Sequence, residues 1–105
     1  MVDDPDIRVN IMYHLFPWAR DQPVMLRMAS TPDLFLPLFS TMEKLTEIMR
    51  QANIPYEAVK QVHSPRDFIR SLPAYIGEVK LRIIVDPTLA EGKRVRYTEV
   101  YRAIH

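Results

Sequence analysis

"DLFLPLFSTMEKLTEIMRQANIP", residues 33–55, runs from a solidly apolar stretch into one whose apolar residues recur at helical spacing. Residues 34–39 carry apolar side chains on both faces, which is the pattern of a strand covered on both sides. Pro37 sits inside that run and cannot donate to a ladder, so a bulge or a local edge is expected there. Further on, Met42, Leu45, Ile48, Met49 and Ala52 form one stripe, with Glu43, Lys44, Glu47 and Arg50 outside it. That spacing predicts an amphipathic helix over 41–52. Asn53 tolerates the left-handed cap conformation and Pro55 cannot continue a helix, so the helix ends there.

Ser40 stands at the joint and invites three readings. A nucleophile elbow needs small residues around the serine, because its strained turn leaves no room for side chains. Here Leu38 and Met42 flank it, and no motif supplies an acid-base partner. A phosphate cradle would need glycine-freed backbone, and Glu43 in the first turn would repel the anion. The spacing Ser40-x-x-Glu43 does match a capping box, so a helix cap is the expectation.

Outward from this unit, proline does most of the punctuation, with nine Pro against two Gly. Residues 23–29 and 33–39 read as strands joined by Ser30, Thr31 and Pro32, a hairpin. Residues 7–16 fit a strand or a helix opened by Asp4, Pro5 and Asp6, and the balance falls to helix. Residues 56–62 read as a strand. Residues 64–72 read as a short helix with Ser64 as cap, Pro65 in the first turn, and Phe68, Ile69 and Leu72 buried. Residues 78–87 alternate Val79, Leu81, Ile83 and Val85 inward against Lys80 and Arg82, and the strand is expected to stop at Asp86-Pro87. The stretch 93–104 reads as a strand to about Val100 or as a short helix capped by Thr98. Together these predict an α+β fold: one domain over 1–105, a mixed sheet of about four to five strands, and two to three helices packed on it.

Composition narrows the chemistry. The chain has 105 residues, 48% hydrophobic and 26% charged, a balance that builds a packed core. It has no Cys, which removes disulfides, thiolate metal sites and cysteine catalysis and suits a reducing cytoplasm. The acidic start "MVDDPDIRVN" and the short apolar runs give no export or membrane segment. Asp3, Asp4 and Asp6 lack a cation-loop pattern, and His14 and His63 lack metal-ligand spacing. No metal or cofactor is expected. Net charge is +1, and the densest basic stretch, "GKRVRY", is small for a nucleic-acid binder. Phe16 and Trp18, beside Pro17, Pro23 and Arg20, read as a proline-bounded loop. Such a loop is either a lid on the core or an aromatic-plus-arginine interface anchor.

The run Leu36-Pro37-Leu38-Phe39-Ser40 before a helix, followed by a strand, a short helix and a strand ending in Asp86-Pro87, resembles the N-terminal domain of the bacterial SseB family. In that family a similar L-P-V-F-[TS] run precedes a helix and a late strand commonly ends in Asn-Pro. The resemblance covers roughly residues 24–90, with Asp86 in place of the Asn. It implies a small mixed α/β domain with no settled enzymatic activity and supplies no catalytic residues. The leading functional expectation is therefore a non-enzymatic interaction or accessory module of a bacterial cytoplasm. Its partner is another protein or a second copy, met through Phe16, Trp18 and Arg20. One alternative is an anionic partner or nucleic acid bound through Lys80, Arg82, Lys93, Arg94, Arg96 and Arg102. A small enzyme gathering Ser40, His63 or carboxylates from distant segments is the other.

Overall fold

Pro37 interrupts a run of fully buried side chains and yet costs the sheet no hydrogen bond. A computed structural model of the chain, which describes residues 10–89 and 95–100, shows why. Strand β4 (Leu34–Leu38) pairs in parallel with β7 (Val79–Leu89), Pro37 opposite Ile84. On its other side β4 meets β3 (Leu26–Arg27) only at Leu34 and Phe35. Just past β4, Phe39 exchanges both main-chain hydrogen bonds with Leu15, each at 2.8 Å. Amide directions alternate along a strand, so the Pro37 nitrogen points the same way as the Phe39 amide, away from β7. It falls in the gap between β3 and Leu15. The expected local edge is there, and no bulge is needed.

Chain order is β1 (Leu15–Ala19), β2 (Gln22–Pro23), β3, β4, α1 (Met42–Ala52), β5 (Ala58–Gln61), α2 (Pro65–Ser71), β6 (Tyr75–Ile76), β7 and β8 (Val95–Val100). One sheet is ordered β2-β1-β5 and the other β3-β4-β7-β6, with β8 also on β7. The Leu15–Phe39 bridge joins them. Beyond this bridge no ladder pairs β1 with β4, and the two sheets separate there. The α+β class holds, and the described residues form two helices and eight strands, in sheets of three and five where one sheet of about four to five was expected.

Both sheet faces are covered, as the apolar run at 34–39 implies. Leu36, Leu38, Leu81, Ile83 and Val85 point to one side and pack with Phe16, Val62, Val100 and Ile69 of α2. Phe35, Phe39 and Ile84 point to the other and pack with Leu26 and with Leu45 and Met49 of α1. Helix α2 begins as expected, with Ser64 accepting from the Asp67 amide and Pro65 in its first turn.

Several expectations change. Residues 11–14 are not helical: the Asn10 side chain accepts the Met12 amide, Tyr13 adopts φ +63°, and the Tyr13 amide donates to the Val62 carbonyl. The pull of β5 pairing overrides local propensity there, and a strand starts at Leu15. Residues 7–9 lie outside the described residues. The stretch 15–23 is not a loop but strand, turn and strand. Strand β7 does not stop at Asp86-Pro87. It continues to Leu89 through a bulge, with the register to β8 shifting between Val85 and Thr88 and Asp86 at φ +48°. Of the two readings left open for 93–104, the strand to Val100 is the one found, over 95–100, while 93–94 and 101–104 lie outside the described residues.

Candidate functional site

Where the two sheets part, a cleft of about 580 Å³ opens. Four separate segments build it: the β1–β2 turn and the chain leading to β3, the start of β4, the link from α1 to β5, and β6. Pro23, Met25, Leu34, Ile54 and Ile76 give it an apolar lining, with Arg20, Tyr56 and Glu57 as polar groups. A volume of this size suits a small ligand or a few residues of a peptide.

The β1–β2 turn places Arg20 at this cleft. Trp18 pairs with Pro23 and Ala19 with Gln22, leaving Arg20 and Asp21 as a two-residue connection with φ of +53° and +63°. Positive φ at both positions is the twist-matched hairpin turn, which usually takes Asn-Gly because a side chain there is strained. Part of that cost is offset by the Arg20 amide, which donates to Glu57 Oε1 at 2.6 Å. The Arg20 guanidinium makes no ion pair among the described residues.

Phe16, Trp18 and Arg20 do not form one exposed patch. Phe16 is 5% exposed, its ring centroid 5.1 Å from that of Phe68. Trp18 is half-buried against the same core, with the Lys60 ammonium 3.9 Å from the ring centroid. Only Arg20 lines the cleft.

Ser40 is not the helix cap. Thr41 holds that place and accepts from the Lys44 amide, as its extended backbone allows. Ser40, one residue earlier, turns to the β7 bulge: its amide donates to Asp86 Oδ1 and its hydroxyl to Asp86 Oδ2, both at 2.8 Å. The Lys44 ammonium donates to Ser40 Oγ and to Asp86 Oδ2, both at 3.3 Å. Burial pushes the Asp86 carboxyl up, but these hydrogen bonds and the lysine charge outweigh it and hold the acid below its usual range. In this arrangement the Ser40 proton is given to a carboxylate and its lone pair faces a cation. That chemistry pins a bulge to a helix start, and the only base the hydroxyl meets among the described residues is a carboxylate whose lowered pKa makes it a weak one.

Of the basic residues, Arg82 is turned inward. Its guanidinium donates through Nε to Glu99, through Nη1 to Asp33 at 3.4 Å and through Nη2 to the Tyr97 hydroxyl at 3.2 Å. It also lies over the Phe35 ring, 5.1 Å from its centroid. Such a guanidinium is occupied, not offered to phosphate. Lys80 and Arg96 are exposed on β7 and β8, and Lys93, Arg94 and Arg102 lie outside the described residues. His63 is exposed and His14 Nδ1 lies 3.3 Å from the Met12 carbonyl, so neither approaches Ser40 through a hydrogen bond.

No local motif announces the cleft, because its walls come from four segments spread between Ala19 and Ile76. The positive φ at Arg20 is equally silent in sequence, since Arg-Asp is not a turn signature. Compared with protein-family models, with curated proteins and with solved structures, the chain finds no match.

Proposed function

We propose that this protein is a non-enzymatic interaction module that receives a segment of a protein partner in the cleft between its two sheets. The observation that carries the reading is the lining: apolar side chains from four segments around the guanidinium of Arg20, which makes no ion pair among the described residues. Apolar walls with few polar groups supply affinity, and a single cation fixes orientation. The strained backbone at Arg20 supports the same reading, since a costly φ at a surface residue is most readily kept where the residue is used. The resemblance to the SseB N-terminal domain, which implies no settled enzymatic activity, is part of this proposal, as is a bacterial cytoplasmic setting. Among the described residues no helix is long and apolar enough to cross a membrane.

Affinity capture from a bacterial lysate tests it, with three baits compared by quantitative mass spectrometry. Ile76→Glu places a charge in the cleft at a surface residue, and Arg96→Glu serves as a control on β8. The expected result is a partner retained by wild type and Arg96→Glu, stable at about 0.5 M salt where exposed charge attraction is screened, and lost with Ile76→Glu. A partner released by salt and by Arg96→Glu but indifferent to Ile76→Glu would move the site to the basic face and overturn the cleft reading.

A further inference from the structure

We infer that the segment taken by the cleft is an extended acidic peptide that adds a strand to the free edge of β3. The inference rests on the cleft reading and names the chemistry of its occupant. In the β3–β4 pair, Leu26 stands opposite Phe35 and Arg27 opposite Leu34. The Phe39 amide points away from β7, and so, by alternation, does that of Phe35, which makes Leu26–Phe35 the hydrogen-bonded pair. The main-chain groups of Arg27, and of Met25 one residue before β3, then point away from β4. No strand pairs with β3 on that side among the described residues.

Two hollows lie along this edge. The cleft holds Met25, and a second, apolar groove of about 150 Å³ holds Leu26, Arg27 and Met28 against α1. Ile54 lines both. Both hollows lie along the same edge, so an extended peptide paired with Met25 and Arg27 runs past the cleft and the groove in turn.

Charge selects an acidic occupant. Arg20 lines the cleft and Arg27 the groove, both exposed, and neither guanidinium makes an ion pair among the described residues. Among the described residues, the one acid in either lining is Glu57, whose Oε1 already accepts the Arg20 amide. An aspartate or glutamate in the peptide gives these guanidinium groups a bidentate partner.

A phage-displayed library of random decapeptides panned against the full chain tests the idea. The selected peptides are expected to alternate apolar residues, to carry acids, and to lose about tenfold or more in affinity with either Arg20→Glu or Arg27→Glu. N-methylation of alternate peptide amides in one phase is expected to cost about tenfold and in the other phase little, because only one set of amides faces β3. Hydrogen exchange at the Arg27 amide slows on binding. Peptides that require Ile76 but are indifferent to the phase of N-methylation would overturn the strand-addition inference and leave the cleft reading in place. No selected binder, or binders indifferent to Ile76→Glu, would overturn both.

Discussion

Ser40 and Thr41 are adjacent hydroxyl residues with different work, and their substitutions separate by pH. Thr41→Ala removes the cap of α1 and is expected to cost about 1 kcal/mol at any pH where the protein is folded. Ser40→Ala removes a hydrogen bond to the Asp86 carboxylate and is expected to cost about 1 kcal/mol as well, but only while that acid is ionised. Asp86 has a folded pKa below the unfolded one, so its contribution is complete above the unfolded value of about 4 and disappears as pH falls through the lower folded value. Thermal melts of wild type and Asp86→Asn should therefore lie apart at pH 7, wild type higher, and converge as the pH drops below about 4. Curves that stay parallel down to pH 2 would show that Asp86 does not stabilise the fold through its charge. The capping-box spacing at Ser40-x-x-Glu43 was readable in sequence and still misled. Asp86 lies far along the chain, and its claim on Ser40 exists only once β4 and β7 are side by side.

At the scale of elements, helix α1 is held by a narrower stripe than its sequence shows. Leu45 is 0% and Met49 2% exposed, Ile48 is half-buried, and Met42 is 43% exposed. Leu45→Ala and Met49→Ala are expected to cost about 2 to 5 kcal/mol each by chemical denaturation, and Ile48→Ala less. Equal losses at all three would mean that α1 sits rotated from this orientation. Strand β8 depends on Arg82, which ties Glu99 and Tyr97 of that strand to Asp33 before β4. Arg82→Ala strands two carboxylates and a hydroxyl on a partly covered face, an expected loss of about 1 to 3 kcal/mol. Arg82→Lys should rescue little, because an ammonium cannot span three partners set around a planar fork. Hydrogen exchange would localise the effect, with β8 amides exchanging faster in both variants. The alternation at 78–85 exposed the strand plainly. That Arg82 faces a second covered surface was hidden, since a charged residue at an alternating position looks like any solvated one.

For the molecule as a whole, the two sheets joined at Leu15–Phe39 set apart residues that chain order keeps together. Phe16 and Trp18 belong to the core beside α2, whereas Arg20, two residues on, belongs to the cleft. Trp18→Ala is accordingly expected to lower stability by about 2 kcal/mol or more, a half-buried share of the usual tryptophan truncation. Peptide capture by the folded variant should be unchanged, and a loss of binding without a change in melting temperature would reverse these roles. The α+β class, both helices, the doubly covered strand at 34–39 and the hairpin into it were legible in the sequence. Apolar spacing, caps and prolines act over a few residues, and each of those elements buries its face whichever neighbour covers it. Where the strands divide into two sheets, which of Ser40 and Thr41 caps α1 and which binds a distant acid, and that a cleft opens beside Arg20 were decided by tertiary structure alone. Those features depend on which segments become neighbours, and the free energy that selects the neighbours comes from long-range pairing and burial, which no local pattern records.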